Sequence, residues 1–246
     1  MASVEQHYDR VLADVYSWML GGFDAAVGRN VEFFARHGIS PSGSRLAVDL
    51  GAGCGFQSIP LARLGYKVIA LDLDRKLLDE LRAHAGDLAI EPVQDDLCNF
   101  AKYVHGDVEL AVCMVDTLLH LESPERVEGM FKSVSAALEP GGKLVMTFRD
   151  LSRELTDLDR FIPVKSDDGT IFTCYLEYEP STVKVHDLVY RREGNAWSFL
   201  KGFYRKLRLA PEWVTDRLRG AGFDDVQADV VNGLVTIVAA KARRSA

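Results

Sequence analysis

The feature that most constrains this chain is the run Leu46-Ala-Val-Asp-Leu-Gly-Ala-Gly-Cys-Gly-Phe56, followed by Val68-Ile-Ala-Leu-Asp-Leu-Asp74. Leu46 to Leu50 is largely apolar and bounded by turn formers, the pattern of a buried parallel strand. Gly51, Gly53 and Gly55 remove side chains where the backbone must turn sharply and where a ligand can approach it. Gln57 to Leu64 reads as a helix that Gly65 terminates, and Lys67 to Leu71 as a return strand. Asp72 then stands roughly 20 positions after Gly51, the separation that brings a carboxylate within reach of ribose hydroxyls. A strand, glycine turn, helix and strand ending in an acid commit the chain to an α/β sheet and describe a pocket for a nucleoside.

The wording of the turn narrows the ligand. A dinucleotide fingerprint reads Gly-x-Gly-x-x-Gly, but Phe56 occupies the place of the last glycine and the third glycine arrives early, at Gly55. A pyrophosphate-binding turn is therefore disfavoured, and a dehydrogenase with it. Asp49-Leu-Gly-Ala-Gly-Cys-Gly55 instead resembles the signature of the class I S-adenosylmethionine-dependent methyltransferases, with Asp72 in the place of that family's ribose-binding acid. The resemblance covers roughly residues 40–150 and 211–241. It implies S-adenosylmethionine as cofactor and S-adenosylhomocysteine as product. It also implies that Leu73 packs on the adenine and that an acid after the third strand receives the adenine amino group. In Gln94-Asp-Asp-Leu97 that role falls to Asp96, with Asp95 standing where the family has a glycine; either acid could instead cap the following turn. Asp49 would order the glycine-turn amides or the ammonium of the methionyl moiety. The resemblance further implies that Ala52 and Leu97 join the cofactor wall, that the backbones of Met114, Val115 and Asp116 line the donor methyl, and that Tyr8 and Tyr16 roof the site, the alternative for these two being a stripe that simply packs in the core.

The remaining organisation agrees with that reading. Apolar positions Val4, Tyr8, Val11, Leu12, Val15, Tyr16 and Met19 recur at helical spacing until Gly21-Gly22, so residues 1–40 read as a helical N-terminal lid. After the second strand, Asp74 caps a helix from Arg75 to Ala85, and Ile90 to Val93 forms a third strand. Glu109 to Val115 is almost wholly apolar and reads as a central fourth strand. Pro124 opens a helix ending near Leu138, Glu139-Pro-Gly-Gly142 turns, and Lys143 to Phe148 forms a fifth strand. Near the C-terminus a helix from Pro211 to Gly220 precedes two strands joined by Asn232-Gly233, a strong hairpin signal. Residues 151–209 break the alternation: Ile171 to Tyr178, Val183 to Tyr190, Trp197 to Leu200 and Phe203 to Leu209 alternate apolar with polar residues. The predicted fold is a doubly wound α/β domain with a mostly parallel seven-stranded sheet ending in an antiparallel hairpin. Residues 41–150 and 210–246 form the core, and residues 151–209 an antiparallel β-meander inserted after the fifth strand. That insertion reads as a substrate lid, or alternatively as the contact of a homodimer.

Composition excludes several classes. An apolar fraction of 48% and a charged fraction of 26% describe an ordinary globular chain of 246 residues. There is no uninterrupted apolar run of membrane-spanning length, and Met1 to Tyr8 lacks a secretory layout, so a cytoplasmic protein without a membrane partner is expected. Cys54, Cys98, Cys113 and Cys174 are scattered, which suggests reduced thiols and no metal cage. A net charge of −7 gives no footprint for nucleic acid, and Val115-Asp-Thr-Leu-Leu119 offers no aromatic wedge for a flipped base. A small-molecule methyl acceptor is expected.

His120 is the candidate general base, because imidazole titrates near neutrality and the residue follows the end of the fourth strand; a hydrogen-bonded core histidine is the alternative. Arg149, closing the fifth strand, could clamp a substrate carboxylate or form a salt bridge between lid and core. Tyr175, Glu177, Tyr204 and Arg205 are secondary candidates, because only one face of the meander can meet the site. The expected function is direct in-line transfer of a methyl group to a nitrogen or oxygen of a small molecule. The alternative is a non-catalytic or regulatory cofactor-binding module acting through a protein partner.

Overall fold

Strands that are apolar on both faces need cover on both sides, and the chain supplies helices in alternation with them. In a computed structural model that describes His7 and residues 11–243, β1 (Leu46–Leu50), β2 (Lys67–Asp72), β3 (Ile90–Gln94), β4 (Val108–Cys113) and β5 (Leu138–Arg149) lie parallel. β10 (Phe223–Val231) and β11 (Leu234–Lys241) complete a seven-stranded sheet in the order β10-β11-β5-β4-β1-β2-β3. β11 runs antiparallel to β5, and its hairpin to β10 turns at Asn232 and Gly233, whose φ of 50° and 76° suit a tight turn that keeps the strand twist. One apolar cluster is anchored by Phe131 and Phe148, and a second by Phe34 and Ile59. The chain order reverses between β1 and β4, so their carboxyl ends open a crevice there.

Before the sheet come α1 (Ala13–Met19) and α2 (Phe23–Arg36), separated at Gly21-Gly22 as the periodicity predicts. Tyr8 lies outside the described residues. α3 (Ser58–Arg63), α4 (Arg75–Ala85), α5 (Pro124–Ala137) and α6 (Pro211–Gly220) follow the expected sites, and Asp74 caps α4 by accepting from the amide of Leu77 at 3.1 Å. None of the described helices is long and apolar enough to cross a membrane.

The insertion is a separate four-stranded antiparallel sheet of β6 (Phe161–Ser166), β7 (Thr170–Tyr178), β8 (Thr182–Glu193) and β9 (Ala196–Leu207), in chain order. Two details depart from the sequence reading. β6 was not among the expected strands; its Pro163 cannot donate to a ladder and is tolerated at the sheet edge, where the β6–β7 register shifts between Pro163 and Lys165. β9 is one continuous strand across Lys201-Gly202, where two were expected. Alternation buries Phe172, Leu176, Val183, Val185 and Val189 on the inner face. Glu177 falls on the other face, held by Lys184 at 2.7 Å and His186 at 2.9 Å.

Candidate functional site

The glycine turn is folded by its own amides. Gly51 and Ala52 both donate to the Leu71 carbonyl, at 2.9 and 2.8 Å, tying the turn across to β2. Gly51, Gly53 and Gly55 have φ of 83°, 54° and 95°, a region that costs other residues strain. Their surroundings differ. A β-carbon on Gly51 would lie 2.3 Å from Thr117, and one on Gly55 would lie 2.2 Å from Leu81 of α4. Gly55 therefore serves helix packing, and the expectation that it meets a ligand is corrected. Gly53 meets only Tyr16 and Leu77, at 3.7 and 3.9 Å, and its amide donates to Asp72 Oδ2 at 2.7 Å.

Asp72 thus stands at the end of β2 with one oxygen on Gly53 and the other on the amide of Asp74, at 2.8 Å. A carboxylate has about four acceptor positions, so two remain for hydroxyl donors. Burial raises its pKa above the ordinary carboxylate value, and the backbone donors oppose that rise. Asp49 does not order the turn amides as expected: it is buried behind the turn and accepts from the Ser58 hydroxyl at 2.6 Å. Burial pushes its pKa up to about 7, against the hydrogen bond from Ser58. Asp95 takes Asn99 and Tyr103, both at 2.8 Å, while Asp96 caps the turn at Leu97–Lys102 by accepting from Cys98 at 2.8 Å and pairs with Arg126. The turn-capping alternative holds for Asp96, although both acids remain in the cavity wall.

β4 stops at Cys113, two residues earlier than its apolar pattern suggested, because the chain turns there. Val115 and Asp116 have φ of 56° and 67°. Left-handed backbone costs non-glycine residues on the order of 1–2 kcal/mol, and it persists only where surrounding bonds over-determine it. Those bonds are present. The amides of Val115 and Asp116 donate to the Thr147 hydroxyl and carbonyl at 3.0 and 3.2 Å. Asp116 Oδ1 accepts from the Arg149 amide at 2.7 Å, and Oδ2 from Lys206 Nζ of β9 at 2.6 Å. Burial alone would raise the Asp116 pKa, but the Lys206 ammonium holds it below the ordinary carboxylate range.

These parts enclose a cavity of about 480 Å³. One wall carries Tyr16, Gly51, Gly53, Asp72, Leu73 and Leu97, with Val115, Thr117 and His120 at the end of β4. Leu73 and Val115 are 46% and 39% exposed, apolar surfaces suited to a flat base and its sugar. The opposite wall is Thr182 and the end of β9, from Phe203 to Leu207. His120 is pushed down to about 3 by burial and by the Lys206 charge, so its imidazole is neutral at physiological pH, and its ring stacks on Tyr204 at 5.2 Å. A group with that pKa is a hydrogen-bond acceptor more than a proton carrier, which revises the general-base expectation. Arg149 is not a cavity residue: its side chain is 67% exposed, with Nε 4.0 Å from Asp116 Oδ2. The bridge between insertion and core that was its alternative is made by Lys206, which sequence reasoning missed. Its only signal was parity, since Lys206 shares the inward face of β9 with Tyr204. Ala52, Met114 and Asp116 lie behind the lining, and Tyr175 and Glu177 lie away from it. Arg126 and Glu122 enter the wall with no local signal in the sequence.

A family model described as a methyltransferase domain matches residues 47–142, which carry the glycine turn, Asp72, the Asp95-Asp96 pair and the strained end of β4. This match spans less than half of the chain and falls on the side of the cavity built from the glycine turn and Asp72. Among proteins that this chain is similar to, the ubiquinone biosynthesis O-methyltransferase of Xanthomonas axonopodis pv. citri is 30% identical over 115 residues, 44% of each chain. The cypemycin N-terminal methyltransferase of a Streptomyces species is 24% identical over 143 residues, 58% of this chain and 56% of that one. The match thus spans about half the length of these relatives. The CcbJ methyltransferase of Streptomyces caelestis has the same fold throughout, with a TM-score of 0.77 at 23% identity over 97% of this chain and 99% of that one. The seven-stranded sheet and the inserted β-sheet both fall within the fold that this chain shares with that structure.

Proposed function

We propose that this protein moves a methyl group from S-adenosylmethionine to a nitrogen or oxygen atom of a small molecule by direct in-line displacement. The observation that carries the reading is the single cavity bounded by the Asp72 turn on one side and by β9 of the insertion on the other, so that two ligands can meet in it. Asp72 would hold the ribose, Leu73 and Val115 would pack on the base, Asp95, Asp96 and Leu97 would border its edge, and Tyr16 would roof it. The cofactor supplies an electrophilic methyl on a sulfonium, which needs alignment and exclusion of water more than covalent help.

The chain's own residues supply that alignment. The Asp116–Lys206 pair fixes β9 against the end of β4, and Tyr204 stacked on His120 forms the adjoining surface. Neutral His120 would accept a hydrogen bond from the acceptor's N–H or O–H, orienting a lone pair toward the methyl, and the proton displaced on methylation would pass to solvent water. Arg149 acts through its backbone by donating to Asp116, and the helices of residues 1–40 and the sheet of residues 151–209 serve as lid and acceptor wall. One relative is named an O-methyltransferase and the other an N-terminal methyltransferase, and the neutral acceptor at His120 suits either chemistry. The test is incubation with methyl-labelled cofactor and a metabolite extract. Label in a new small compound is the expected result; cofactor binding with no label transfer would make the protein a binding module and overturn the proposal.

A further inference from the structure

Gly202 stands on the inner face of the insertion, in register with Asp187 of β8, which is in register with Cys174 of β7. A β-carbon at Gly202 would lie 2.6 Å from His7 Nδ1 and 2.8 Å from its Cε1. The space left by the missing side chain is the space that the His7 ring fills. There His7 Nε2 lies 2.7 Å from Asp187 Oδ2, with 2% and 1% of the two side chains exposed. Cys174 Sγ donates to Asp187 Oδ1 at 3.0 Å. A carboxylate buried on a sheet face must be paired, because an unpartnered one costs several kcal/mol. Asp187 takes its ring partner from a segment 180 positions away, which makes the row of Cys174, Asp187 and Gly202 a receptor for the N-terminal segment. The His7 ring also lies 4.8 Å from that of Tyr204, which stacks in turn on His120 in the cavity wall.

Residues 16–18 touch both halves of the molecule. On the insertion, Trp18 Nε1 donates to Asp167 Oδ2, and Lys165 Nζ to the Trp18 carbonyl, both at 2.6 Å. On the core, Tyr16 stacks on Phe56 at 5.9 Å, and the Ser17 hydroxyl donates to Glu80 at 2.5 Å. Immediately afterwards Gly21 and Gly22 have φ of 88° and 97°, and a β-carbon on Gly22 would meet nothing within 4 Å. The core contacts therefore sit beside a glycine hinge, and His7 sits at the far end.

We infer that His7 and residues 11–20 act as a strap hinged at Gly21-Gly22 and latched by His7 in the slot between Asp187 and Gly202, and that release at His7 admits ligands to the cavity. This rests on the proposed cofactor site, and it makes His7 a positioning residue that acts through Tyr204. Gly202→Ala fills the slot and so displaces the His7 ring without changing either His7 or Asp187. With S-adenosylhomocysteine as the probe, both its association and dissociation rates should rise by about fivefold or more in stopped-flow measurements, as for a lid that opens more often. Amide hydrogen exchange across residues 11–20 should quicken, with β1 and β4 unchanged. His7→Ala should act the same way and serves if Gly202→Ala does not fold. A purely structural role would lower the melting temperature and leave both rates and the local exchange as in the wild type, and that result would overturn the latch. If the wild-type protein fails to bind S-adenosylhomocysteine, the functional proposal falls, and exchange alone decides the strap: faster exchange supports it and unchanged exchange rejects it.

Discussion

The two walls of the cavity are built in different ways. The cofactor wall comes mostly from residues 51–97, where each β-strand end is followed at once by the turn that shapes it. Gly53 and Asp72, 19 positions apart, meet because β1 and β2 are adjacent parallel strands, and one amide donates to one carboxylate. The acceptor wall is held by Lys206 and Asp116, 90 positions apart, and behind it by His7 and Asp187, 180 positions apart. A wall made of local turns survives much change elsewhere, while a wall made by long-range polar pairs depends on the packing of whole sheets.

The largest expected effect tests the second kind of wall. Lys206→Met leaves the buried Asp116 carboxylate with only the exposed Arg149 guanidinium 4.0 Å away, and breaking a buried pair costs roughly 3–5 kcal/mol, which urea denaturation would measure. Adding Asp116→Asn should restore most of that loss, and failure to do so would refute the pairing as its cause. On the cofactor wall, Asp72→Ala should weaken S-adenosylhomocysteine by roughly 100-fold in calorimetry with an unchanged far-UV spectrum, because two hydrogen bonds to a charged group are lost. Retained affinity would remove the ribose assignment. Gly55→Ala should cost about 2 kcal/mol of stability through positive φ and overlap with Leu81. Its cofactor affinity should stay near that of the wild type, and a large loss would return Gly55 to the ligand side.

The smallest effect is a pH slope. Asp49 has its pKa raised to about 7 in the folded state, above its unfolded value near 3.8, so the folded protein holds the proton more tightly. Its contribution to stability is fully present below pH 3.8 and is lost as pH rises toward 7. Relative to Asp49→Asn, wild-type stability should fall across that window by at most about 1.4 kcal/mol per pH unit. Parallel curves for the two proteins would show that burial does not control Asp49.

Legibility followed the range of the interactions. The glycine turn, the cap at Asp74 and the Asn232-Gly233 hairpin rest on backbone conformations specified within a few residues, so spacing and residue type predicted them. β6 was not among the expected strands, and its Pro163 carries a signal against strands that an edge position tolerates. Gly202 was read as a break between strands, whereas it is a vacancy in one strand for a ring from the other end of the chain. Arg149 and Lys206 show the same limit: both are cations near a strand end, and only the approach of β9 to the end of β4 selects Lys206 for the cavity.

By itself the sequence determined the parallel sheet, its terminal hairpin, the presence of an inserted antiparallel sheet and the placing of Asp72 beside Gly53. These follow from hydrophobic period and turn chemistry, which act over a few residues. Only the tertiary structure decided which face of the insertion meets the core, which cation enters the cavity, that His120 is neutral, and that His7 docks beside Asp187. Those outcomes depend on burial and on partners brought together by the packing of distant segments, and no short-range pattern carries that information.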